Sequence, residues 1–331
     1  MADEITINFN NEESMDKNIT ETDTSNQETV VEQHPVEEST ITPARECTDY
    51  NTIVVCGGSL MGIINLGCIQ YAFDNYYLKD LDNYFGTSSG AFICYLLVIG
   101  YTPIEIMVYI CTKEVIESLH ETVDIVGLFR SDSKGLAKFE YIAQILEKMT
   151  IEKTGVLLTM GDLKRKFGKS LTICTYNITA GKTVYVSSDS HPDMPCITAL
   201  RMTSNLPYIF EPFCYRDNFY IDGGVCDNFP IMKAMSDPSN KVIGFDLDYN
   251  YAVKDGRDIT NMSFLANLFR IPVSSQAEML HEWYKDKCDI IRVFTEFIGV
   301  SNISSTEKLE LFSDGYNNCK KYFEEKESCG K

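Results

Sequence analysis

The sequence predicts an α/β protein of three layers, a mostly parallel central sheet flanked by helices. Three observations lead there. Short β-rich apolar runs alternate with longer helical ones along most of the chain. Two of the turns between them, Gly57-Gly58-Ser59 and Gly86-Thr87-Ser88-Ser89-Gly90, are small-residue bends set between a strand and a helix. A chain of 331 residues, 44% of them apolar, can bury a large core as one big α/β domain or two smaller ones.

The elements follow in order. Thr52–Cys56 reads as the first strand, and a helical pattern runs from its glycine turn to Tyr77. The bend around Ser88 opens the apolar helix Ala91–Ile99. Pro103 suits a helix start and leads a second helical run to about Val115. Residues 117–135 lose periodicity and read as a long loop or cap. Phe139–Met149 is amphipathic, and a short helix to Phe167 opens with Thr159 or Asp162 as its cap. Leu171–Asn177 and Thr183–Val186, joined by Ala180-Gly181-Lys182, form a hairpin. Residues 196–206 are helical, Phe219–Ile221 is a strand running into Asp222, and Lys241–Asp246 and Asp289–Phe294 are further strands with helices between them. Ser304-Ser305-Thr306-Glu307 is a capping box for a last helix to about Glu325.

Composition narrows the function. The net charge is −19, and acidic side chains in the first 50 residues far outnumber the two basic ones, Lys17 and Arg45. Residues 1–48 lack an apolar stripe and read as a disordered acidic tail ahead of a folded domain at 49–327. Lys164-Arg165-Lys166 is the densest basic run and suits a solvated helix face, so nucleic acid is not an expected partner. The acidity also disfavours capture by anionic lipid, leaving apolar contact as the route to any membrane surface. Twelve cysteines include no Cys-x-x-Cys, and most lie in apolar runs, which suits reduced, buried thiols of a cytosol-like compartment. The expected location is cytoplasmic or peripheral to an intracellular membrane, without signal peptide or transmembrane span. No metal or other cofactor is implied, because no His, Cys and carboxylate cluster has ligand spacing.

Three segments carry chemistry. Gly86-Thr87-Ser88-Ser89-Gly90 is a Gly-x-Ser-x-Gly bend in which Gly86 and Gly90 flank an outward hydroxyl, with a helix N-terminus beside it. Gly57-Gly58-Ser59-Leu60-Met61-Gly62 follows a strand and precedes a helix, so its N–H groups suit an oxyanion hole. Asp222-Gly223-Gly224 ends a strand with an accessible carboxylate. Ser88 and Asp222 are 134 residues apart and meet only if the fold brings them together.

Taken in chain order, as glycine loop, serine bend and aspartate turn, the three segments resemble the patatin-like phospholipases. The similarity spans roughly residues 50–325 and includes Thr198–Pro212, Asp222-Gly223-Gly224 followed by Asn228-Phe229-Pro230, and the hairpin from Gly168 to Gly181. The resemblance implies a lipid acyl hydrolase of phospholipase A type. Ser88 is its nucleophile, Asp222 its base, and Gly57, Gly58 and Ser59 its oxyanion donors, with a lipid or membrane-surface substrate. The family pattern has a third glycine where Ser59 stands and a basic residue where Met61 stands. Two further readings stay open: a catalytically weakened lipid-binding or scaffold protein of the same fold, and an esterase using Ser88, Asp222 and His281 in the chain order of an α/β-hydrolase. Leu128-Phe129 and the apolar positions Phe264, Leu265, Leu268 and Phe269 are candidates for an acyl channel or for core packing.

Overall fold

The computed structural model describes residues 50–112, 139–207, 210–250, 261–296 and 303–329. The expected tail and the cap at 117–135, with Leu128 and Phe129, lie outside them, as do the side chains of the candidates at 264–269.

The described elements are β1 (Thr52–Val55), α1 (Gly62–Asp74), β2 (Asn83–Thr87), α2 (Ser89–Val98), α3 (Pro103–Thr112), α4 (Glu140–Thr154), α5 (Met160–Phe167), β3 (Ser170–Asn177), β4 (Lys182–Val186), α6 (Cys196–Thr203), β5 (Phe213–Tyr215), β6 (Asn218–Asp222), α7 (Ile231–Ala234), β7 (Val242–Asn250), α8 (Asn261–Tyr284), β8 (Asp289–Glu296) and α9 (Ser305–Cys329). Strands pair in the order β5-β6-β3-β2-β1-β7-β8, with β4 added to β3. The β1–β2, β1–β7, β2–β3 and β7–β8 pairs are parallel. The β3–β4, β3–β6 and β5–β6 pairs are antiparallel. The sheet is thus mixed, mostly parallel and flanked by helices.

Central position explains the apolar runs. Thr52–Val55 is buried throughout, as a strand between two parallel neighbours must be. Ten of the thirteen α1 residues are buried, because the helix packs against α9 as well as the sheet. At that crossing Tyr77 stacks on Phe323 at 4.1 Å and Tyr71 meets Tyr316 edge-on at 5.2 Å.

Several boundaries differ from expectation for local reasons. α4 continues past Met149 to Thr154 until Gly155, at φ 80°, ends it with a left-handed cap. α6 stops at Thr203 instead of 206. Asn205 leaves the helix to pair with β6, accepting the Asp222 N–H at 3.0 Å and donating to Tyr220 O at 2.8 Å. β5 was not expected. Its hairpin with β6 turns at Arg216 and Asp217, both at positive φ, where glycine or asparagine would have signalled the turn. Thr159 is the cap of α5 and forms a capping box with Asp162, and Ser304 and Glu307 form the expected capping box.

The strand pairing brings the separated motifs together. β4 lies along Ile173–Asn177 of β3, so β2 and β6 share the opposite edge. β2 runs along that edge and ends with Thr87 opposite Cys174. β6 arrives antiparallel and ends with Asp222 opposite Thr175. The two strand ends therefore meet head to head at adjacent residues of β3, and the next residue after β2 is Ser88.

Candidate active site

Ser88 occupies a sharp bend between β2 and α2, with φ 50° and ψ −125°. Such a backbone costs a non-glycine residue on the order of 1–3 kcal/mol and persists only where surroundings over-determine it. They do so here. The Ser88 N–H donates to Thr203 Oγ1 at 2.9 Å, and Thr203 Oγ1 donates in turn to Cys174 O at 2.5 Å. Ser88 O accepts the N–H groups of Ala91 at 3.0 Å and Phe92 at 3.3 Å, which start α2. Gly90 packs so tightly on the backbone carbonyls of Val55 and Cys56 that a Cβ has no room, so α2 can begin only on a glycine there. Gly86 lies at the base of the same bend, against the start of α2.

The Ser88 hydroxyl donates to Asp222 Oδ2 at 2.8 Å. Asp222 is 1% exposed, and its other oxygen, Oδ1, accepts the Gly224 N–H at 2.7 Å. Burial pushes the Asp222 carboxyl up to about 6, against the lowering effect of the Gly224 N–H and the Ser88 hydroxyl. A carboxylate in that range is ionised at neutral pH yet basic enough to take a proton from a hydroxyl. Gly223 packs against Cys174 O at the opening of the turn.

The loop after β1 approaches from the other side. Asn228 clamps Gly57 twice: the Gly57 N–H donates to Asn228 O at 3.1 Å, and Asn228 Nδ2 donates to Gly57 O at 3.0 Å. The Gly58 N–H donates to Ser89 Oγ at 2.9 Å. Ser59 holds φ 51°, the left-handed conformation that a glycine would adopt freely, and no described hydrogen bond uses its N–H. Met61 is 1% exposed and fills core space, so the position contributes no cation. Gly62 starts α1 beside Ser89.

His281 stands apart from this hydrogen-bonded set. It lies on α8, and its pKa is lowered, first by burial and then by Arg292. Its Nδ1 is buried without a hydrogen-bond partner, whereas both Asp222 oxygens are engaged by Ser88 and Gly224.

Two supporting residues escaped individual notice in the sequence. Thr203 reads there as one more small residue of a helical run, and only the end of α6 carries it under Ser88. Asn228 stands in the Asn228-Phe229-Pro230 segment, but its clamp on Gly57 bridges 171 residues and has no local signature. Asp227, beside it, accepts from Tyr185 Oη at 2.6 Å, and its carbonyl accepts from Thr87 Oγ1 at 2.9 Å. The segment after Asp222 is thereby tied to both β2 and β4.

Known proteins are similar to this chain in sequence and fold. A family model described as patatin-like phospholipase matches residues 53–235, more than half of the chain. The chain is 31% identical over 274 residues to the probable lipid hydrolase 463L of Invertebrate iridescent virus 6, covering 80% of this chain and 86% of that protein. It is 25% identical over 287 residues to protein R571 of Acanthamoeba polyphaga mimivirus, covering 82% and 93% of the two. Among solved structures, VipD of Legionella pneumophila is similar in fold, with a TM-score of 0.56 at 16% identity over 84% of this chain and 67% of that one. Matched over most of its folded length and carrying the ordered glycine loop, serine bend and aspartate turn, the chain belongs to the patatin-like phospholipase family.

Proposed function

We propose that the protein is a lipid acyl hydrolase that cleaves fatty acyl esters through a Ser88–Asp222 dyad and an acyl-enzyme. One observation carries the reading: the 2.8 Å hydrogen bond from Ser88 Oγ to a buried carboxylate whose pKa is raised to about 6. Family membership and the relative named a probable lipid hydrolase support the substrate class.

In this mechanism Asp222 Oδ2 takes the Ser88 proton as Oγ attacks the ester carbonyl. The tetrahedral oxyanion is held by backbone N–H groups of the loop after β1. Gly57 is committed to Asn228, so the holding falls to Ser59, whose N–H has no described partner, and to Gly58 once the Ser89 hydroxyl turns aside. The proton on Asp222 passes to the leaving alcohol as the carbon–oxygen bond breaks. Asp222 then deprotonates a water that attacks the acyl-enzyme, and the returning proton restores Ser88. No histidine is needed, because the raised Asp222 carboxyl does the work of an imidazole.

The test is hydrolysis of a fluorogenic acyl ester by the wild type and by Ser88→Ala. A fall of about 10³-fold or more supports the reading. Equal rates contradict it and leave the lipid-binding scaffold, which the buried Met61 favours by withholding a cation from the oxyanion loop.

A further inference from the structure

Two cysteines unused by this chemistry sit against the Asp222 turn. Cys174 lies on β3, next to Thr175, the register partner of Asp222. Cys226 closes the short turn Gly223–Val225 that follows Asp222. Their Sγ atoms are 4.0 Å apart. Cys174 is buried and Cys226 partly exposed, so an oxidant from solvent meets Cys226 first. The Cys226 thiol donates to Gly223 O at 3.2 Å. The hydrogen bond between the two thiols and the Thr183 hydroxyl lower the Cys226 pKa, while the same contact and burial raise that of Cys174.

We propose that Cys174 and Cys226 are an oxidisable thiol pair whose disulfide pulls Asp222 out of register with Ser88. The oxidant is hydrogen peroxide. The Cys226 thiolate attacks its O–O bond, forming a sulfenic acid and releasing hydroxide, which takes up the proton lost from Cys226 to give water. Cys174 Sγ then attacks the sulfenyl sulfur, and its proton leaves with the sulfenic hydroxyl as a second water. Two thiols and one peroxide thus become one disulfide and two waters.

The mechanical consequence follows from which partner is free to move. A disulfide holds its sulfurs about 2.05 Å apart, so closure from 4.0 Å draws them together by about 2 Å. Cys174 is fixed on both edges, opposite Thr87 of β2 and Tyr185 of β4. Closure therefore draws on the turn, against the Asp227 contacts to Thr87 and Tyr185 that tie it to β2 and β4. That turn supplies the Gly224 N–H to Asp222 Oδ1, and its extension supplies the Asn228 clamp on Gly57. Displacing it disturbs both the base and the oxyanion loop.

The effect on turnover rests on the hydrolase reading, whereas the cross-link does not, and one experiment separates them. The full chain is treated with hydrogen peroxide, mapped by non-reducing peptide mass spectrometry and assayed on an acyl ester. The expected result is a Cys174–Cys226 peptide lighter by two hydrogens. The ester rate falls in parallel by about 10²-fold, and a dithiol reductant restores it. Cys226→Ser keeps the unoxidised rate and resists peroxide. Oxidation that leaves Cys174 and Cys226 unlinked overturns the pair, a result read on the wild type alone. Cross-linked protein that hydrolyses at the reduced protein's rate overturns the switch. A chain inactive before oxidation refutes the hydrolase reading, and the peptide map still decides the thiol pair.

Discussion

At Ser88 the unfavourable φ is sustained by hydrogen bonds, and these are separable from the chemistry. Thr203→Val is isosteric but leaves the buried Ser88 N–H without its acceptor. It should destabilise the protein by about 1–3 kcal/mol in urea unfolding and slow ester turnover by misplacing Oγ. Asp222 makes the opposite trade. Its carboxyl is raised from the ordinary 3.8 to about 6, so the fold favours the neutral form. The associated stability is fully present below about pH 4 and lost as pH rises through about 6. Asp222→Asn should therefore abolish turnover while leaving thermal stability at pH 8 equal or higher, with no such gain at pH 4. The wild-type kcat/KM should rise with pH on a limb near 6, the form in which Asp222 acts as base. Asp246, also buried and raised to about 6, titrates in the same range. Asp246→Asn should retain the limb, and its loss in that variant would reassign the base.

At the scale of elements, the site is a product of strand ends. β2 and β6 share one edge of β3, which converts 134 residues of separation into a hydrogen bond. The helices behind matter to stability rather than chemistry. Gly67 of α1 meets the Phe312 backbone and Gly315 of α9 meets that of Ile64, with no space for a Cβ at either. Gly315→Ala should push the two helices apart and cost about 2 kcal/mol or more in thermal unfolding, while kcat of the surviving folded protein stays near wild type. Much of this level is legible in the sequence where a backbone demand is local. The bend at Ser88, the Asp-Gly-Gly turn, the cap at Thr159 and the capping box at Ser304 each declare themselves in neighbouring residues. The β5 hairpin does not, because Arg216 adopts positive φ where a turn residue would be usual. Thr203, Asn228 and the Cys174–Cys226 contact are equally silent, since each is made only when distant strands pair. The two amides that prove to be engaged, those of Gly57 and Gly58, could not be told from the Ser59 amide by composition alone.

At the scale of the whole molecule, charge and apolarity bear on the proposed lipid substrate. The chain carries −19, and among the described residues no helix is long and apolar enough to cross a membrane. The acidic balance leads us to expect no gain in binding from anionic lipid. Sedimentation with phosphatidylcholine vesicles should show binding that does not increase when phosphatidylserine is added. An increase would reveal a basic surface that the sequence does not announce.

In the proposed dyad Ser88 is a nucleophile activated by Asp222. The most direct measurement is labelling of the full chain with a fluorophosphonate, which traps only an activated serine, followed by peptide mapping. A single adduct is expected on Ser88, absent in Ser88→Ala, strongly slowed in Asp222→Asn and unchanged in His281→Ala. An adduct on another serine, or labelling of Ser88 that needs His281 and not Asp222, would contradict it.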